Sequence, residues 1–553
     1  MRITFYTTIS KIKAGALEIT GCSPNVSHLV IPSEIDGYPV ISIAKTAFRN
    51  RQDLQSVELE EGIEVIGVES FEDCYQLKEV HLPDSLCRIS TQAFQRCNSL
   101  EILEGSKNLQ KIENSAFMDC KNLKTVHLKN NLMHLGSFAF AGCENQADIS
   151  MAQVPFYVGE DCFSRTEILC TDAYGLTTVQ QKIVIGYRGD AAKVNLPEAA
   201  EVIAYGAFRD RYALQQVICS DRLKSIGSYA FSKCTQLRAV YQCKGLVRIY
   251  EYAFEQCTNL RMLPASELVE QLGTYAFAAC KSLQNLLIYP KLAELSAGVF
   301  SDCSQVEQVY FPRGLNHIYS RAFEHCEAIC KIQLPEELCT LDAYAFAGCS
   351  SLGEVYLPEQ LKTMETEVFQ NCQSLRSMTV KNWMYPMGFL GKGVCVTLFF
   401  PQSEQTAALF YSDDLARFCN GGRARLSLAL YHAPQQIAFE EYDRCLELLV
   451  YEQDRILFVL NRLQYPVELS EEMEGSFREY LMEHAAKAVF WCAVWNEPER
   501  VQFLCENGFL TEDTLAEAIT MVNEIQNLSV ISILMDHKKT SVGTAAIDSL
   551  FCI

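Results

Sequence analysis

Twenty-five cysteines, nine histidines and a surplus of carboxylates are the residues with which this chain of 553 amino acids could do chemistry. The cysteines come closest to a pattern: Cys74, Cys97, Cys120 and Cys143, then Cys234, Cys257, Cys280, Cys303, Cys326, Cys349 and Cys372, follow one another at 23-residue steps within each group. A structural metal site needs about four ligands that converge, commonly as C-x-x-C pairs, and no C-x-x-C occurs. One thiol per period fits a reducing compartment better than systematic bridges, so these residues read as small buried hydrophobes. The histidines are scattered, and His81 and His127 fall between inward positions, which predicts solvated rings. Adjacent carboxylates such as Asp413 and Asp414 read as solvated loop charges. G-x-x-x-x-G-K-[ST], G-x-G-x-x-G after a strand, G-x-S-x-G and H-E-x-x-H are all missing. No catalytic residue, metal ligand or cofactor is therefore expected.

Composition narrows the classes further. With 49% hydrophobic and 21% charged residues the chain reads as globular. No apolar run is long enough to span a bilayer. A formal net charge of −21 repels phosphate backbones and anionic membranes, which argues against nucleic-acid partners and membrane insertion. The first residues, MRITFYTTISKIKAGALEIT, hold no apolar core of a secretion signal, and the last, SVGTAAIDSLFCI, hold no sorting motif. A cytoplasmic location is expected, with the cell surface by a non-classical route as the alternative.

The elements that position these residues follow from a repeat. Phenylalanines stand at 48, 71, 94, 117, 140 and 163, then at 208, 231, 254, 277, 300, 323, 346 and 369. The residue five before each is aliphatic in all 14 cases, and the residue six after is aliphatic in 13, Gln146 being the exception. The unit I-x-x-x-A-F-x-x-C-x-x-L-x-x-V-x-L-P is clearest in Leu341 to Pro358, LDAYAFAGCSSLGEVYLP. A unit this short cannot bury its own apolar face, whereas stacked copies share one continuous core. The alternating L-x-x-V-x-L segment predicts a short strand forming one rung of a parallel sheet, and the proline after it, lacking an N–H, ends the strand. Each Phe is expected to fill the interior between coils.

This motif, over about residues 17 to 380, resembles the BspA-like leucine-rich-repeat family. The opening segment from Leu17 to Phe48 is similar to that family's first coil. The resemblance implies a solenoid that binds other macromolecules. Studied members are mostly associated with cell surfaces and adhesion, which implies, as the alternative function, an adhesin for host or bacterial surface proteins or glycans. The step from Phe163 to Phe208 is 45 residues, and IVIGYRGDAAKVNLP from Ile183 repeats the opening pattern. The expected organisation is a first repeat array with its cap (1–180), a second with its cap (181–400) and a helical domain (401–553). The fold class is α+β: a leucine-rich-repeat solenoid with a parallel strand ladder, then an all-α domain of helical hairpins. Residues 384–435 read as an end cap with two strand-like runs, VCVTLFF and LSLALY. From Gln436 apolar residues recur three and four apart. AVFWCAVWNEPERVQFLCENGFL and LAEAITMVNEIQNLSVISILMDHK, near the end of the chain, read as two helix pairs that are similar to ankyrin repeats but lack the T-P-L-H turn. Asn496 and Asn527 are placed in their turns, Gly508 as a helix stop and Thr511 as a cap.

Repeats commit their periodic residues inward, so specificity falls to the outward column ten residues after each Phe. In the first array it reads Glu58, His81, Glu104, His127, Ser150; in the second it reads Ile218, Tyr241, Pro264, Leu287, Tyr310, Gln333, Tyr356, Thr379. Tyr241, Leu287, Tyr310 and Tyr356 are the candidate strip for a protein or glycan partner. Tyrosine also simply suits strand surfaces, and that reading stays open. The expected function is a non-enzymatic protein–protein interaction scaffold.

Overall fold

In the computed structural model a typical coil of the repeat carries two strands and not one. The x-V-x-L segment pairs in parallel with its counterpart a coil later, as Ser56–Leu59 does with Glu79–His81, Val57 opposite Val80. The second strand has only two residues and ends on the aliphatic residue five before the Phe. Val65–Ile66, Arg88–Ile89, Lys111–Ile112, His134–Leu135 and Tyr157–Val158 form this ladder in strict register. Residues 3–129, 131–145, 148–381, 390, 395–401, 406–412 and 437–541 are described. They fall into two units, Met1–Leu315 and Asn316–Ile553.

A third ladder joins the turns that carry the phenylalanines. Thr46, Phe48 and Asn50 donate their N–H groups to the carbonyls of Val68, Ser70 and Glu72 in the next coil at 2.9, 2.7 and 2.7 Å. Thr46 and Asn50 both adopt left-handed backbone, φ +58° and +60°, and later coils repeat this pair. Left-handed geometry costs a non-glycine residue roughly 1–2 kcal/mol. Here it turns alternate N–H groups toward the next coil, where each finds an acceptor, so every rung offsets the cost with hydrogen bonds.

Inside, the rings stack. In the first unit Phe48, Phe71, Phe94, Phe117, Phe140 and Phe163 form one column, with centroids 5.1, 5.2, 5.2, 5.4 and 5.8 Å apart. Phe208, Phe231, Phe254, Phe277 and Phe300 form another. In the second unit Phe323, Phe346 and Phe369 do the same. A coil spacing close to the strand separation of about 4.8 Å brings flat rings to offset-stacking distance, and so the period selects Phe.

The cysteines do more than fill space. Along the column a thiol donates to the carbonyl of the Phe one coil earlier: Cys74 to Phe48 at 3.2 Å, Cys120 to Phe94 at 3.1 Å, Cys257 to Phe231 at 3.1 Å, Cys372 to Phe346 at 3.2 Å. A small residue with a weak donor is what this position needs.

Each array begins with antiparallel strands that cover the ladder's edge, which would otherwise offer unpaired backbone groups. Phe5–Ile9 pairs antiparallel with Leu17–Cys22, which pairs in parallel with Tyr38–Ile43. At the joint, Leu169–Thr171, Leu176–Val179 and Ile183–Tyr187 form an antiparallel meander, and the last leads into Val202–Ile203. The first array's last coil meets the second directly. Tyr205 N–H donates to Val158 O at 3.0 Å, and Arg248 lies 4.2 Å from the centre of the Phe156 ring.

In the second unit the sheet runs past the repeats. Ser377–Val380 pairs in parallel with Cys395–Pro401, which turns back antiparallel as Thr406–Ser412. The run VCVTLFF is therefore a strand, as expected. Thr406–Ser412, a further strand, lies inside the stretch 384–435 expected as an end cap and inside the range 401–553 assigned to the helical domain. Its unbroken apolar run from Ala407 to Tyr411, buried throughout, completes a sheet edge instead of starting a helix. LSLALY, Gln146, Asp413 and Asp414 lie outside the described residues. Among the described residues the α-helices are α1 (Phe439–Asp443), α2 (Glu452–Gln464), α3 (Glu471–Glu483), α4 (Ala485–Val494), α5 (Pro498–Glu506), α6 (Glu512–Glu524) and α7 (Leu528–Ser541). Helix α2 packs on the terminal strands, where Asn461 Nδ2 donates to Thr397 Oγ1 at 3.1 Å, and Tyr442 of α1 donates its hydroxyl to Phe410 O at 3.0 Å. Arg462, wholly buried, meets Asp443 bidentately at 2.6 and 3.0 Å. The pairs α4/α5 and α6/α7 stack, with α4 on α6 and α5 on α7. Gly508 (φ +70°) ends α5, Thr511 caps α6 in a reciprocal box with Thr514, and Asn527 accepts from Val530 N–H at the start of α7.

Candidate functional site

The outward column stands where the repeat requires, because a strand that buries Val57 or Val80 must turn its neighbours away from the core. In the first array it is polar. His81 is exposed and His127 half-buried, and His127 Nδ1 lies 2.6 Å from Ser150 Oγ with Nε2 3.7 Å from Glu104 Oε1.

Later in the first unit the column becomes apolar. Leu287 is 75% exposed and Tyr310 52%, and they oppose each other on the paired strands Asn285–Leu287 and Gln308–Tyr310. Tyr310 Oη donates to Gln308 Oε1 at 2.5 Å. Tyr241, 40% exposed, pairs instead with Ile218. The coil between Tyr241 and Leu287 carries Pro264 in the column. Lacking an N–H, it leaves that coil without a rung, so one sheet ends at Ala239–Tyr241 and another begins at Asn285. Tyr289, buried, donates to the carbonyl of Pro264 at 2.9 Å. Of the predicted strip in this unit, Leu287 and Tyr310 are thus brought together, and Tyr241 stands apart with the Pro264 coil in between. In the second unit Tyr356 pairs with Gln333 and Thr379, and Lys331 Nζ lies 4.9 Å from its ring centre while meeting Glu354 at 2.8 Å.

A further aromatic column was not singled out from the sequence. Tyr229, Tyr252 and Tyr275, each two residues before a Phe, stack at 4.9 and 5.3 Å at left-handed positions. Arg209 sits 5.2 Å from the Tyr229 ring centre. Their recurrence at the repeat period was the signal. The stack stops at Gly298, where a Cβ would collide with the Tyr275 ring.

Burial pushes the column thiols up, Cys74 and Cys303 to about 12, which suppresses the thiolate. Among the described residues no group of three or more His, Cys, Asp or Glu is placed to hold a metal ion, and no helix is long and apolar enough to cross a membrane.

Stacked coils with parallel ladders and an internal Phe column define a leucine-rich-repeat solenoid. The chain belongs to the BspA type leucine rich repeat region family, whose profile matches six copies over residues 41–169, 187–307 and 270–388. Among solved structures it is similar to a leucine-rich repeat protein from Bacteroides ovatus (21% identity, 69% of this chain and 94% of that one, TM-score 0.33). It is also similar to the T. pallidum leucine rich repeat protein (22% identity, 50% and 87%, TM-score 0.22) and to the pneumococcal vaccine antigen PcpA (17% identity, 64% and 91%, TM-score 0.26). No curated protein matches the sequence.

Proposed function

We propose that the chain is a non-enzymatic interaction scaffold whose repeat surface receives a protein partner, with Leu287 and Tyr310 at the contact. The observation that carries this reading is their in-register exposure: a leucine three-quarters open to solvent beside a half-open tyrosine, both on rigid paired strands. A tyrosine held on a strand loses little conformational entropy on binding and is among the residue types that dominate interface energetics, while the exposed leucine beside it adds apolar area to bury. Tyr241 extends the same surface toward the joint. Tyr356 offers a separate contact in the second unit.

The test is capture of partners by the intact chain and by a Leu287→Ser/Tyr310→Ala double variant, from lysate, surface-protein extracts and glycan arrays, with Tyr356→Ala assayed separately. Loss of a specific protein partner with an unchanged melting temperature supports the reading. Unchanged capture removes this surface. A partner found only among glycans or extracellular proteins favours the adhesin alternative.

A further inference from the structure

The opening coils of the two arrays are internal copies of one another, and one difference between them opens a cavity. Cys22, Val26 and Leu29 of the first correspond to Tyr187, Ala191 and Val194 of the second; across the following loop, Phe48, Arg51, Asp53 and Leu54 correspond to Phe208, Arg211, Ala213 and Leu214. The backbones agree: Gln55 N–H meets Ser27 O at 2.7 Å, and Gln215 N–H meets Ala192 O at 2.7 Å. Both coils carry arginine where later coils carry the repeat cysteine, because the coil before them has no Phe whose carbonyl a thiol could reach.

In the first array that arginine is satisfied from within. Arg51 holds Asp53 bidentately, both contacts at 2.8 Å, and Asp53 also accepts Val26 N–H at 3.0 Å. In the second, alanine replaces the aspartate. Tyr187 takes over one of its contacts, its hydroxyl accepting Ala191 N–H at 3.0 Å. Gly189 permits this, since a Cβ there would lie 2.6 Å from that hydroxyl. Nothing replaces the other. The Arg211 side chain makes one hydrogen bond, Nε to Arg209 O at 3.3 Å, and no ion pair among the described residues. Beside it lies a cavity of about 310 Å³ lined by Tyr187, Asp190, Asp210, Arg211, Tyr212 and Ala213.

We propose that this cavity binds a small zwitterion of the α-amino acid class, whose carboxylate meets Arg211 as Asp53 meets Arg51. A guanidinium fork matches a carboxylate in two parallel bonds, and the Tyr187 hydroxyl, having accepted one hydrogen bond, keeps its proton to donate. Asp190 and Asp210 line the same space. Their charge opposes a polyanion such as phosphate and provides acceptors for an ammonium group. The volume sits at the low end of the roughly 300–1,000 Å³ typical of small-ligand sites, which suits one small molecule and not a peptide segment.

Calorimetric titration of the full chain with glycine, alanine, leucine, phenylalanine and lysine, each beside the amine lacking its carboxylate and beside inorganic phosphate, tests the proposal. At least one amino acid is expected to saturate the site with a Kd of about 1 mM or tighter, and its amine to bind about tenfold more weakly or less. Ala213→Asp rebuilds the internal partner, so it is expected to abolish binding and raise the melting temperature. Arg211→Met removes the fork and is expected to abolish binding without that rise. The proposal is overturned if no amino acid binds, if phosphate binds in preference to all of them, or if either variant binds as the parent does.

Discussion

Replacing Phe254 by alanine tests the stacked core at its most coupled point. The ring is fully buried between Phe231 and Phe277, both with centroids 5.0 Å away and with interplanar angles of 14° and 3°. Truncating a buried Phe costs about 3–5 kcal/mol through lost transfer energy and the cavity left behind. Each stacked neighbour adds about 0.5–1.5 kcal/mol beyond area burial, and Phe254 loses two. Phe48, equally buried but at the end of its column, loses only the contact to Phe71 at 5.1 Å. The expected cost at Phe254 is therefore at or above the top of the range, exceeding that at Phe48 by about one stack. Because a solenoid's stability is a chain of nearest-neighbour terms, the interior change also cuts one cooperative block into two. Urea unfolding followed by far-UV circular dichroism should show a lower midpoint and a shallower or split transition for Phe254→Ala. A loss below about 1 kcal/mol, well under the range for a buried Phe, or a larger loss at Phe48, would refute coupling through the column.

Two further outcomes follow from the thiols and from the second unit. In the native protein Cys170 and Cys330, which are exposed, should alkylate rapidly, whereas Cys257 and Cys280, fully buried and with thiols pushed upward by burial, should react only on unfolding; peptide mapping after iodoacetamide treatment reads this, and native labelling of Cys257 as fast as Cys170 contradicts the buried ladder. Asp443→Ala leaves Arg462 buried without its carboxylate, at an expected cost of about 3–5 kcal/mol, while Asp443→Ala combined with Arg462→Met should recover much of it; thermal unfolding that ranks the double variant at or below the single one sinks the assignment.

The periodic residues declared the repeat, the parallel ladder and the inward Phe because their chemistry recurs at fixed spacing. The two-residue strands ending on Ile66 or Ile89 escaped, since an alternation needs a run of about four residues to be visible. The left-handed pairs around each Phe escaped for another reason: Thr46, Glu69, Gln92 and Tyr229 share a backbone geometry and no side-chain type. Geometry imposed by the neighbouring coil leaves no compositional trace. The thiol's bond to the preceding Phe carbonyl was likewise out of reach, because it joins two coils and its pairing depends on the stack. Within the candidate strip, outward placement of Leu287 and Tyr310 followed from alternation, whereas the separation of Tyr241 from them turned on what Pro264 does to a ladder.

Departures from the period mark where coils stop serving one another. Arg51 and Arg211 stand where a thiol would have no earlier Phe carbonyl to meet, so each guanidinium needs another acceptor. The first array supplies Asp53 and closes; the second has Ala213 and leaves a cavity. Pro264 acts in the same way on the outer sheet, ending one ladder and freeing the next to begin at Leu287 beside Tyr310. In both places a residue that fails to serve the stack leaves a neighbour's polar or apolar surface without an internal partner. A solenoid repeats its core by satisfying each coil with the next, so its capacity to bind something else must come from the coils where that reciprocity is broken.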